Sequence, residues 1–300
     1  MRVLLTGGLG FIGKNFLLHR PQDWQVFALD IIEDKKFQKI IKNAQFFGID
    51  LSDKNKVKQL AKKINNNFDV CLHLAANGDP ALSVQDPLWD LQATVETLVN
   101  TLTYFKIKKC VYLSSGAVYN GNRGLVTPKT TVDPILPYAI SHLAAEWYTR
   151  FFQKHKEYVV IRFFGAYGPY EPPRKIYTKL VKDFAFDRKN DFLIRGNGQN
   201  LIDAMNVRDA IAGFSKAIVS QKANFTIDFC KGDHPNINQL VKEAAEIFDI
   251  KVEIKHKGQV PEYNQFYASD KEFEKLFGFR AKISLEEGLR KLKAHLENNQ

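Results

Sequence analysis

A doubly wound α/β fold around a parallel sheet is what this chain predicts, and three observations predict it. Short apolar runs alternate with amphipathic stretches up to about residue 165. The first run, Arg2-Val3-Leu4-Leu5-Thr6, passes directly into Gly7-Gly8-Leu9-Gly10-Phe11-Ile12-Gly13 and then a helical pattern, the strand, glycine turn and helix that open a Rossmann-type sheet. Phe68–Ala76 is almost continuously apolar, as a strand covered on both faces must be.

In chain order, the glycines at 7, 10 and 13 allow a tight turn, close approach of backbone to a pyrophosphate, and close packing of the helix Phe11–Leu18. Free N–H groups at that helix start suit phosphate. Trp24–Asp30 is the second strand, and its terminal carboxylate stands seventeen residues beyond Gly13. Such a carboxylate accepts both ribose hydroxyls and repels a 2'-phosphate, so NAD is expected over NADP, with Lys35 and Lys36 close enough to soften the preference. Ala44–Asp50 is the third strand; Asp50 is also placed to cap a helix from Asp53 to Ile64. His73 lies within the strand Phe68–Ala76 and is expected in the core, whereas Ala75-Ala76-Asn77-Gly78 at its carboxyl end should pass along the cofactor.

Leu88, Leu91, Val95, Leu98, Leu102 and Phe105 repeat at three- and four-residue steps, which predicts one apolar seam along a helix from Pro87 to Phe105. A helix opening at Tyr138 offers Leu143, Trp147 and Phe151 similarly. Cys110–Ser115 and Val159–Phe164 read as further strands. Beyond Gly165 the alternation weakens, and Pro169, Pro172 and Pro173 precede a Lys-rich helix over 174–187. We therefore expect a nucleotide-binding domain over 1–165, with segments returning near 200–230, and a smaller, discontinuous C-terminal substrate lobe over 166–300.

With 300 residues and 45% hydrophobic content, the chain can bury a full core. No run reaches the roughly 18 apolar residues of a membrane span, and a cytoplasmic setting is expected. Cys71, Cys110 and Cys230 lie in apolar runs, which suits free buried thiols rather than disulfides or a metal site. The net charge of +10 favours anionic ligands, but the lysines are scattered among acidic residues, so a phosphorylated small molecule is expected and nucleic acid is not.

Chemistry is signalled by Leu113-Ser114-Ser115-Gly116-Ala117-Val118-Tyr119 and, further on, Pro137-Tyr138-Ala139-Ile140-Ser141-His142. Two hydroxyls at a strand end near a Tyr that opens a helix read as hydride-transfer chemistry, which needs a base for the carbinol proton. These residues, with Thr6–Gly13, His73-Leu74-Ala75-Ala76, Tyr167-Gly168-Pro169-Tyr170 and Ser284–Leu289, resemble the extended branch of the short-chain dehydrogenase/reductase superfamily, the NAD-dependent nucleotide-sugar epimerases and dehydratases, over nearly the whole chain.

The resemblance implies NAD as cofactor, held by Gly7, Gly10, Phe11, Ile12, Gly13, Asp30, Asp50, Leu51, Leu74, Ala75 and Ala76 with Tyr138 and residue 142. It implies Tyr138 as base and Ser115, or less directly Ser114, as its hydroxyl partner. It also implies a nucleotide-diphosphate sugar as substrate and a homodimer through helices 87–105 and 138–155; burial of both seams inside a monomer is the alternative. Asn77, Arg174, Lys175, Lys179 and Arg195 are the candidate substrate contacts.

Three departures matter. His142 stands where the family has the Lys of Tyr-x-x-x-Lys, which grips the nicotinamide ribose and lowers the Tyr pKa by its charge. A neutral imidazole supplies one donor and no charge. Gly116-Ala117 replaces the acid pair that sugar 4,6-dehydratases use to remove water, which argues against dehydration. Ile202 stands where many relatives have the Arg that clamps the diphosphate, beside a retained Asp203. The expected activity is NAD-dependent oxidation or epimerisation at C4 of a nucleotide-linked sugar. Three readings of His142 stay open: a slower enzyme, an enzyme with other acid–base residues, and a catalytically impaired NAD-binding or sensor protein.

Overall fold

Five apolar runs of the first 115 residues become parallel strands: β1 (Arg2–Thr6), β2 (Gln25–Asp30), β3 (Ala44–Gly48), β4 (Phe68–His73) and β5 (Ile107–Ser115). The computed structural model describes residues 1–259 and 264–298. Two later strands, Glu157–Phe163 and Phe225–Phe229, extend β5 outward, so the seven-stranded sheet reads Phe225–Phe229, Glu157–Phe163, β5, β4, β1, β2, β3, parallel throughout. This is a doubly wound sheet that reverses direction between β1 and β4, where Thr6 pairs with His73. The carboxyl ends on either side of that reversal open a crevice.

Apolar layers cover both faces. Phe16, Leu17, Ile211 and Phe214 pack on one, and Val57, Leu98, Leu102 and Phe105 on the other. A third cluster, including Leu180, Phe184, Leu240 and Leu289, is drawn from the chain after residue 166, which also pairs strands Asp191–Arg195 and Glu253–Lys257. The three cysteines are buried and free. Among the described residues no helix is long and apolar enough to cross a membrane.

The seam expected over 87–105 does not stay on one face. The helix runs Pro87–Leu91, turns through a π-helical segment Gln92–Glu96 and continues Thr97–Tyr104. Five residues in that turn rotate the face by about 100° relative to regular helical spacing. Val95, Leu98, Leu102 and Phe105 are consequently buried in the core, while Leu88 is 66% exposed, with Trp89 and Leu91 also exposed beside it. Trp147 and Phe151 on the neighbouring helix are exposed too, but Leu143 packs inward.

That neighbouring helix, Pro137–Phe151, starts on a proline at its first turn and lays Ala139, His142, Ala145, Glu146 and Thr149 on the sheet. Beneath it Glu146, 1% exposed, pairs with Arg162 at 2.9 Å and accepts the Ser114 hydroxyl at 2.7 Å. Arg162 also donates to the Tyr119 hydroxyl, which donates to Asp228. Removing one member leaves a buried charge without its partner, so Glu146→Ala should lose about 3–5 kcal/mol of stability in urea unfolding.

The other boundaries shift modestly. Asp53, not Asp50, caps the helix Lys54–Lys63, accepting from the Asn55 and Lys56 N–H groups. Asp50 instead accepts from the Ser52 amide and hydroxyl. The Lys-rich helix starts at Ile176, two residues after Arg174, because Pro172 and Pro173 hold the preceding chain in a turn.

Candidate active site

The crevice is a cleft of 540 Å³ lined by residues from before and after Gly165. Its floor is the glycine turn. Gly7 sits at φ +65°, where a Cβ would come within 2.9 Å of the Ala75 amide nitrogen, and a Cβ on Gly13 would run into the Gly7 carbonyl. A Cβ on Gly10 would meet protein only at 3.4 Å, so what Gly10 keeps clear is the cleft side. The helix Phe11–His19 has neither a capping side chain nor an acidic residue in its first turn, which leaves its N–H groups free for an anion. These features fit a dinucleotide pyrophosphate.

Asp30, 9% exposed, ties this turn to β2 by accepting from the Leu9 amide at 2.7 Å and the Ile32 amide at 2.9 Å. Each oxygen retains a lone pair for a ribose hydroxyl. Lys35 points into solvent beside Glu33. Asp30, Asp50, Leu51 and Ala75 lie outside the lining of the cleft, and Leu51 is buried in the core. Phe11, Ile12, Leu74 and Ala76 line it. Leu74 and Ala75 are pinned because both amides donate to the Thr6 hydroxyl oxygen, which in turn meets His73 Nδ1 at 3.0 Å. His73 is fully buried, and burial pushes its pKa down to about 3, as a core histidine requires.

Ser115, Tyr138 and His142 come together on the cleft wall. Ser115 holds the turn Gly116–Tyr119 by accepting from the Ala117 amide at 3.1 Å, and it lines the cleft together with Tyr138. Burial raises the Tyr138 pKa, the Ser115 hydroxyl lowers it, and Asp90 and Asp79 raise it further. His142 follows one helical turn later, its ring 4.6 Å from that of Tyr138. Burial pushes His142 down to about 4, so it is neutral near pH 7 and supplies no charge to the phenol. Ser114 does not offer its hydroxyl here, since that group donates to Glu146. Gly116 faces the Phe164 ring, which a Cβ would approach to 3.1 Å; an acidic side chain has no room there without a shift.

On the substrate side the expectations divide. Arg174 and Lys175 line the cleft, and Arg174 reaches Asp79 across it at 3.3 Å. Lys179 pairs with Asp183 over the Phe192 ring, and neither Lys179 nor Arg195 lines the cleft. Asn77 lines it, but its amide is spent internally on Asp90 and the Asp79 backbone. Ile202 and Asp203 also line the cleft, the carboxyl accepting from the Lys231 and Gly232 amides. Glu171, which no motif signals, is buried in the wall with Thr178 as donor, and burial raises its pKa to about 7.

Residues 3–228 match the model of the NAD dependent epimerase/dehydratase family. The chain is 26% identical to the human dTDP-D-glucose 4,6-dehydratase, covering 97% of this chain and 88% of that one. It is also 26% identical to the UDP-glucuronate 4-epimerase of Thermodesulfobacterium geofontis, over 96% and 94% of the two chains. The crystal structure of the Thermotoga maritima UDP-glucose 4-epimerase with UDP-glucose superposes with a TM-score of 0.87 at 25% identity, covering 100% of this chain and 99% of that one. The glycine cradle, the Ser115–Tyr138 pair and these matches agree on an NAD-dependent enzyme, and the chain belongs to the NAD-dependent epimerase/dehydratase family.

Proposed function

We propose that this protein is a nucleotide-sugar 4-epimerase. The observation that carries the reading is that Ser115 and Tyr138 share the wall of a cleft whose floor is a pyrophosphate cradle. In this reading residues 1–165 hold NAD, with Asp30 taking the adenosine ribose, and the later segments hold the sugar nucleotide. Ser115 donates to the C4 oxygen and Tyr138 takes its proton; NAD held on the glycine turn would supply the hydride acceptor. Gly116 and Ala117 offer no acid for loss of water, which supports epimerisation over 4,6-dehydration despite the dehydratases among the relatives. Arg174 and Lys175 are the cations placed to neutralise a diphosphate in the absence of an Arg at position 202.

The exposed Leu88, Trp89, Leu91, Ile140, Trp147, Tyr148 and Phe151 support a homodimer through these two helices. Incubation with NAD and a panel of UDP-, GDP-, dTDP- and CDP-sugars, followed by chromatography, tests the reading. Mass-neutral conversion of one sugar is expected. Net accumulation of reduced nicotinamide would make the protein a C4 dehydrogenase instead, and unchanged sugars throughout would leave an NAD-binding protein.

A further inference from the structure

The imidazole of His142 is held between two tyrosines. On the cleft side is Tyr138; on the sheet side is Tyr112, whose ring lies 24° from parallel to His142 and whose hydroxyl is 2.9 Å from Nδ1. This contact follows from two matched repeats. Tyr112 and Ser114 are two residues apart on β5, about 6.6 Å. His142 and Glu146 are one turn apart on the helix above, about 6 Å. Strand and helix therefore meet in step, Tyr112 against His142 and Ser114 against Glu146.

Tyr112 is completely buried. Among the described residues its hydroxyl has one hydrogen-bonding partner, Nδ1 of His142, and Nε2 of His142 is buried without any. These facts select a tautomer. If Nδ1 accepts, the phenol proton is satisfied and the imidazole proton sits on Nε2, which is left to meet a ligand. If Nδ1 carries the proton, both the Tyr112 proton and the Nε2 lone pair are stranded in the interior. Stranding two polar groups costs more than stranding one.

We propose that Tyr112 is a positioning residue: its hydroxyl fixes His142 as the Nε2–H tautomer and aims that N–H at the cofactor, so the chain offers a neutral donor where its relatives offer an ammonium. His142 lines the cleft and Tyr112 does not, so Tyr112 acts only through the imidazole. The inference rests on the NAD site and is independent of which sugar is turned over.

Nitrogen NMR of the full-length protein labelled at histidine tests the tautomer without any ligand. The resonances lost in His142→Phe identify His142, and they should report protonated Nε2 with bare Nδ1 in the wild type. Calorimetric titration with NAD tests the consequence: Tyr112→Phe, which keeps the ring and its packing, should weaken binding about 3- to 10-fold. In the His142→Phe background the same change should do nothing, because the group it positions has gone. A proton on Nδ1 in the wild type overturns the proposal, and so does an equal loss of affinity in both backgrounds, which marks a packing role. Failure to convert any sugar, with these results intact, counts against the epimerase reading and leaves Tyr112 in its role.

Discussion

Tyr138→Phe should lower kcat by a factor of about 10²–10⁴ while leaving KM for the sugar nucleotide within a few fold. The ring and its contact with His142 stay, so the loss isolates the proton acceptor. The same assignment fixes the pH dependence. Burial, the leading influence, holds the Tyr138 pKa above its ordinary value, and the neutral imidazole four residues on does nothing to pull it down. A base must be deprotonated to act, and between pH 7 and 9 its phenolate fraction grows about tenfold per unit. The rate should therefore climb across that interval without a plateau, and steady-state kinetics on the wild type checks it. A flat profile would show that another group takes the proton.

His142→Lys should raise kcat at pH 7 by about 10- to 10³-fold and flatten that climb. An ammonium within a few ångströms of a phenol lowers its pKa by about 1–3 units. The Tyr112 hydroxyl, which meets Nδ1 in the wild type, has lone pairs that can accept from an ammonium at that place. Unchanged rate and unchanged profile would mean that the electrostatics at residue 142 do not limit turnover. Because His142 sits near pKa 4, the wild-type profile should show no inflection between pH 6 and 7, where an exposed imidazole would titrate.

What was legible in the sequence and what was not have physical reasons. The glycine turn announces itself because a positive φ at Gly7 and the collision of any Gly13 side chain with the Gly7 carbonyl exclude other residues. Six of the seven strands read correctly, all but Phe225–Phe229, because parallel strands are apolar on both faces. The seam over 87–105 misled because a π-helical turn leaves no mark in the spacing of leucines. Arg195 and Lys179 carry the charge a diphosphate needs, yet charge alone does not place a side chain, and neither lines the cleft. Tyr112 and Glu171 were invisible for the opposite reason: an apolar strand and a proline-rich turn surround them, and only the fold brings Tyr112 to His142 and Glu171 to the cleft wall. The missing charge at residue 142 was legible as a departure, whereas the burial that keeps the imidazole neutral was not.

The most direct test of C4 oxidation is a rapid-mixing experiment on the NAD-loaded enzyme with the sugar nucleotide that the panel identifies, carrying protium or deuterium at C4. Near-ultraviolet absorbance of reduced nicotinamide should appear within the first turnover, more slowly for the C4-deuterated sugar, and fall again as the hydride returns. Conversion without that absorbance, or with equal rates for the two isotopologues and a slowing by deuterium at another carbon, would contradict the account.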